Sequence, residues 1–163
     1  MVTRPRSYTF DAALALHMGV AAIATGLAAD GAGNYNPIPM ADQSVGQVNG
    51  ADQVLDLGSD TASFSGMTVV DVGSVAGETT LLIQGSDTED FSGDVVNLAT
   101  IPLNVGGGHL GGANVDAIED RYEAPFVNEQ GDVIYRYVRA FKVGAGAIEL
   151  NVFLARANGA FMP

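Results

Sequence analysis

Few residues in this chain have side chains able to do chemistry. The only histidines are His17 and His109, and there is no cysteine. A Ser-His-acid triad needs an imidazole base oriented by a third group, and nothing near either histidine supplies one. Without cysteine there is no thiol nucleophile, no disulfide and no cysteine metal cluster. Gly106, Gly108 and Gly111 fit G-x-G-x-x-G. A dinucleotide site needs a strand before that pattern and a helix after it. Ala113-Asn114-Val115-Asp116 opens no amphipathic helix, so the glycines read as a flexible loop spanning 104–120. Asp87, Glu89, Asp90 and Asp94 crowd into SDTEDFSGD. A hard cation takes several oxygen ligands from a tight loop, but the spacing is not that of an EF-hand and the cluster reads as a solvated turn. The expectation is a protein that is not an enzyme, with no catalytic residue, no metal and no cofactor.

The basic residues suggest contact instead. Arg136, Arg139 and Lys142 lie on one predicted strand, near Glu149 on the next. Two readings of them stand side by side. They form cross-strand ion pairs of small worth, or they form a docking strip for an acidic partner. Arg4 and Arg6 lie in residues 1–6, read either as a flexible arm that reaches a neighbour or as a frayed terminus. The formal charge is −12, with seven Lys and Arg against 19 Asp and Glu. From Ser7 to Asp120 there is no Lys or Arg, while 15 of the acids lie there. A phosphate backbone needs a basic face, so nucleic acid is excluded as a partner. The same asymmetry reads either as acid-rich loops in the middle with a balanced sheet in the last third, or as an acidic side facing solvent and a mixed side facing a partner.

These side chains must be carried by some fold. At 163 residues, 47% hydrophobic and 16% charged, the chain has the size and composition of one folded domain over 1–163. Short β-rich runs lie at 54–57, 67–72, 79–84 and 95–103, and longer ones at 121–127, 133–143 and 148–155. Turn signals punctuate them at Asp30-Gly31, Asn49-Gly50, Gly93-Asp94 and Gln130-Gly131-Asp132. EQGD at 129–132 is expected to join the strand 121–127 to the strand 133–143. NYNPIP at 34–39 carries two prolines, which bars a helix interior or a central strand, and residues 28–52 read as an extended loop. Eight to ten short strands with no strong helical pattern imply an all-β fold, an antiparallel β-sandwich of jelly-roll type.

The N-terminal region is ambiguous. Tyr8, Phe10, Ala12, Leu14, Leu16, Met18 and Val20 share one parity, against Thr9, Asp11, Ala13, Ala15 and His17. That alternation predicts a strand over 8–20 with Phe10, Leu14 and Leu16 buried. The alanine content leaves a helix over 11–28 as the alternative. Asp11 and His17 interrupt the apolar run, and alanine in place of leucine argues against a membrane span.

Several segments together carry a family resemblance. They are YTFDAALAL (8–16), LDLG (55–58), VVDV (69–72), IQGS (83–86), Phe91, VVNLA (95–99) and RYEAPFVNEQGDVIYRYVR (121–139). In this order they resemble the small cement, or decoration, proteins of tailed-phage capsids, of the type found in a Bordetella phage. The resemblance implies a jelly-roll sandwich that pairs as a homodimer on the outer surface of the head. There it would bridge neighbouring major capsid protein subunits non-covalently, after assembly in the bacterial host cytoplasm. Residues 28–52 and the GGGHLGG loop are longer than that pattern. The rival expectation is a secreted or surface β-sandwich module that binds carbohydrate or calcium. Such modules grip sugars with exposed aromatic faces, whereas this chain has no Trp and most of its Tyr and Phe fall at core parity.

Overall fold

The computed structural model describes residues 11–19, 37–58, 63–103 and 121–156. Among them the chain is β apart from one 3-10 turn at Ala12–Leu14. The first six strands are short: β1 (Ala15–His17), β2 (Ile38–Pro39), β3 (Ser44–Val45), β4 (Gln47–Val48), β5 (Ala51–Asp52) and β6 (Leu55–Asp56). Three long strands follow, β7 (Ser65–Ala76), β8 (Thr79–Ser86) and β9 (Val95–Leu103). The remainder are β10 (Arg121–Val127), β11 (Glu129–Gln130), β12 (Val133–Ile134), β13 (Tyr137–Val143) and β14 (Ala147–Ala155).

β4–β5 and β11–β12 form separate two-stranded ladders, and the other ten strands form two antiparallel sheets packed face to face. The first runs β1-β14-β7-β10, with β2 beside β1 on the edge of β14. The second runs β3-β13-β8-β9, with β6 beside β3 on the edge of β13. Alternating side chains meet between them: Val70, Val72, Leu150, Val152 and Leu154 from the first sheet, and Leu81, Ile83, Ile101, Leu103, Val138 and Ala140 from the second. Phe126 joins this core and meets Phe64 ring to ring, centroids 5.9 Å apart. The period-two pattern of the sequence thus fills one layer between two sheets, as a β-sandwich requires.

The connections set this topology. The chain leaves β7 for β8 through Gly77 (φ 94°), crossing from the first sheet to the second. It leaves β13 for β14 through Gly144 (φ 116°) and crosses back. The two crossovers stack backbone on backbone, and a methyl group at Gly146 would lie 2.7 Å from the Gly77 carbonyl oxygen. Side chains have no room there, which accounts for the glycines of the 144–146 turn.

Several expectations need correction. The strand over 8–20 is only three residues long where it is described. Asp11 caps the 3-10 turn by accepting the Ala13 N–H at 2.9 Å, which delays entry into the strand. Ala15, Leu16, His17 and Met18 are all buried, so no single buried face exists there. The reason is position: β1 lies in the seam between the sheets and is covered from both sides. Leu14 is half-buried, and Phe10 lies outside the described residues. The expected loop 28–52 carries β2 to β5 in its described part, with a tight turn at Asn49-Gly50 (φ 56° and 79°) closing β4 on β5. EQGD closes only the two-residue ladder β11–β12. The strands on either side of it part company, β10 to the first sheet and β13 to the second. The run 133–143 breaks at Tyr135-Arg136, and the described residues hold fourteen strands, seven of them only two residues long, against the eight to ten expected. The Gly-rich loop 104–120 lies outside the described residues, and no described helix is long and apolar enough to cross a membrane.

Candidate interaction surface

The three cations expected as one strip divide by parity. β13 buries Val138, Ala140 and Lys142 and leaves Tyr137, Arg139, Phe141 and Val143 half-exposed on the outer face of the second sheet. A spacing of three puts Arg139 on the face opposite Lys142, because strand side chains alternate.

Lys142 is 2% exposed. Its ammonium donates to the Gly144 carbonyl and lies 3.8 Å from Asp42 Oδ1. Asp42 also accepts the Gly144 N–H at 2.7 Å, so this group ties the 41–43 turn to the β13–β14 crossover. Glu149 is not on a neighbouring strand, since β14 belongs to the other sheet. Lys142 and Glu149 instead line one groove of about 480 Å³ at the end of the sandwich, with Met40, Asp42 and Ile148. Lys142 is therefore an internal tie, not a docking residue.

Arg136 is half-exposed and clamps the exposed Asp56 of β6 through two bonds, Nε to Oδ1 at 2.7 Å and Nη2 to Oδ2 at 2.6 Å. That guanidinium, with help from the Gly58 N–H, lowers the Asp56 pKa to about 2. The pair pins the β6 edge against the entry to β13, where Tyr137 pairs with Asp56.

Arg139 differs from both. Its Nε donates to Gln84 Oε1 at 3.0 Å on neighbouring β8. Its guanidinium carbon lies 4.0 Å from the Phe91 ring centroid and 5.2 Å from that of Phe141. Among the described residues no carboxylate pairs with it. Phe91 reaches this position from a left-handed backbone conformation, φ 55°, which costs a non-glycine residue roughly 1–2 kcal/mol. Around Arg139 the outer face is apolar and half-exposed: Tyr137, Phe141 and Val143 on β13, Leu82 on β8 and Val45 on β3. Arg4 and Arg6 lie outside the described residues.

The other candidates place as follows. Asp90 accepts the N–H and hydroxyl of Ser92, at 3.0 and 2.7 Å, and these bonds hold its pKa low. Asp87, Glu89 and Asp94 are exposed, and no group of three potential metal ligands comes together among the described residues. His109 and the G-x-G-x-x-G segment lie outside the described residues.

Sequence reasoning missed two polar centres. Arg121 of β10 makes a two-pronged pair with Asp71 of β7, with Nη2 to Oδ2 at 2.8 Å, and Asp71 is 1% exposed. Asn128 is fully buried. Its Oδ1 accepts the Phe64 N–H at 2.6 Å and its Nδ2 donates to the Tyr135 carbonyl at 2.9 Å. The signal for Asn128 was a polar residue directly before a turn, at the end of an apolar strand. Asp71 stood out as the one acid inside VVDV. Comparison with known proteins returns no matching family model, no matching curated protein and no matching solved structure.

Proposed function

We propose that this chain is a structural protein of a virion, a cement protein that binds the outside of a tailed-phage head as a homodimer. The proposed sandwich is of jelly-roll type, and the face through which two copies pair is the outer face of the second sheet, centred on Arg139. The observation that carries the reading is the state of Arg139. It is a cation lying over the Phe91 ring and near the Phe141 ring, with its Nε fixed by Gln84 and no acid partner among the described residues. Arginine and aromatic side chains dominate the energetics of protein interfaces, and a strained backbone such as that at Phe91 clusters where it serves contact. The resemblance of 121–139 to capsid cement proteins supports the choice of partner, a major capsid protein. Non-covalent bridging suits a chain without cysteine.

The test has two parts. Sedimentation at micromolar concentration gives about 34 kDa, twice the 16.8 kDa of one chain. The protein also co-sediments with purified phage heads and is absent from the host fraction. A monomer that never associates with heads overturns the reading. Retention of a sugar or of calcium through dialysis would favour a binding module instead.

A further inference from the structure

The two sheets meet along one side through a seam built by β1 and the segment 44–48. On one edge β1 pairs with β14. On the other, the Met18 N–H donates to the Gln47 carbonyl at 2.8 Å, and the Gly46 N–H donates to the Ala140 carbonyl of β13 at 2.9 Å. Hydrogen bonding thus passes from the first sheet to the second by way of residues 15–18 and 46–48. Gly46 is packed so closely against the Leu16 carbonyl that a methyl group there would lie 2.3 Å from the oxygen.

His17 sits in this seam, 1% exposed. Its Nδ1 accepts the Gln47 N–H at 2.9 Å, and its Nε2 faces the Ile38 carbonyl at 3.2 Å. A carbonyl accepts only, so Nε2 carries the proton and Nδ1 offers its lone pair. One neutral tautomer satisfies both contacts, and it joins β1, β2 and β4 at a single point. Protonating Nδ1 would set two N–H groups against each other and leave the Gln47 donor without an acceptor.

We propose that His17 is an acid-sensitive latch: its protonation releases β1 from residues 46–48 and opens the seam while the two sheets stay packed. Among the described residues only the Ile38 carbonyl favours an imidazolium, and no carboxylate stands against the ring. β2 and residues 44–48 carry no charged side chain. On the elements packed against the ring, Glu149 of β14 is exposed, Asp52 of β5 accepts from the Gln47 side chain, Lys142 is held by Gly144 and Asp42, and Arg139 lies on the outer face. Asp71, on β7 beside β14, is taken by Arg121. Among the described residues no charged group acts on the ring: burial lowers its pKa and the Ile38 carbonyl raises it by less. The direction of the switch follows. A histidine with a lowered folded-state pKa contributes nothing against opening above about pH 6.5, where both states are neutral. Below that value the opened seam takes up the proton first, so opening becomes easier as pH falls toward the folded pKa and then levels off.

The latch is tested by amide hydrogen exchange on the intact chain between pH 7.5 and 5, read as protection factors. Protection at Gln47 and Met18 falls by up to about tenfold per pH unit below 6.5, while the amides of β8 hold theirs. His17→Gln, which cannot titrate, removes this dependence. Ring 15N shifts of the wild-type protein follow the same event directly, with Nδ1 changing from acceptor to N–H in step with the loss of protection. Three results would overturn the latch. One is constant protection at Gln47. Another is an equal fall across β8, which would be global acid destabilisation. The third is a ring that titrates without loss of protection. Should His17→Gln fail to fold, the wild-type titration alone decides.

Discussion

Asn128 shows how one side chain can specify a fold at a point where backbone pairing fails. The chain leaves β10 for the short β11–β12 hairpin and returns at Tyr135, whose N–H donates to the Asn128 carbonyl at 2.8 Å. The amide side chain bonds the Phe64 N–H and the Tyr135 carbonyl, groups that would otherwise be orphaned inside the protein. Asn128→Ala strands both, at about 1–3 kcal/mol each, and a fall in chemical-denaturation stability of that order checks it. Asn128→Asp keeps the acceptor for Phe64 but turns an oxygen toward the Tyr135 carbonyl, so it also destabilises at neutral pH. An unchanged midpoint for both variants would remove Asn128 from its structural role. The alternating pattern of 133–143 hid this tie. Period two runs through Tyr135-Arg136 without interruption, whereas the break between β12 and β13 is imposed by a residue at 128 and another at 64. Contacts of that separation leave no mark on local periodicity. Parity, by contrast, was legible: a spacing of three between Arg136, Arg139 and Lys142 already puts Arg139 on the face opposite the other two.

At the level of elements, the sequence pattern located strands well and their partners poorly. The expected runs 95–103 and 121–127 coincide with β9 and β10 in the structure, because each is bounded by glycine or polar residues and rich in β-formers. Which sheet each strand joins depends on the crossovers, and alternation looks the same in either sheet. The stacked crossovers at Gly77 and Gly144–Gly146 carry that information as steric demand. Gly146→Ala would push a methyl group against the Gly77 and Glu78 carbonyl oxygens, at 2.7 and 2.9 Å. These are backbone atoms with little room to yield, and the expected cost is about 1–3 kcal/mol, in the range of overpacked sites. Gly50→Ala is the informative control. It also has positive φ, but nothing lies within 4 Å of the added carbon, so its cost is conformational alone, about 1 kcal/mol. A thermal melt that ranks Gly50→Ala as the more damaging of the two would contradict the stacked-crossover account.

For the whole molecule, segments that the sequence separates by charge are brought together by pairing in three dimensions. The basic last third and the acidic middle meet as Arg121–Asp71, Arg136–Asp56 and Lys142–Asp42. A segment-by-segment charge count therefore says little about which side faces a partner. It does not separate an acidic outer side from a basic docking side either: Phe91, in the acidic turn 87–94, stacks on Arg139 itself. The proposed contact face thus holds one desolvated cation beside several exposed acids, and a second copy turned about a two-fold axis would set each cation toward the other's acidic turn. The two kinds of charge should behave differently in the dimer. A central arginine among aromatics acts as an anchor, whose truncation costs about 2 kcal/mol or more, roughly a thirtyfold weaker dissociation constant. Rim charges mainly tune association rate and its salt dependence. Arg139→Ala should therefore raise the dimer dissociation constant about thirtyfold or more in concentration-dependent sedimentation, with the monomer still folded. Neutralising Asp87, Glu89 and Asp94 together should chiefly flatten the salt dependence. Arg136→Ala removes an exposed pair at the β6 edge and should change the constant only a few-fold. If Arg136→Ala dissolves the dimer and Arg139→Ala leaves it intact, the contact lies along the β6 edge of the second sheet, and the aromatic clamp around Arg139 serves the fold alone.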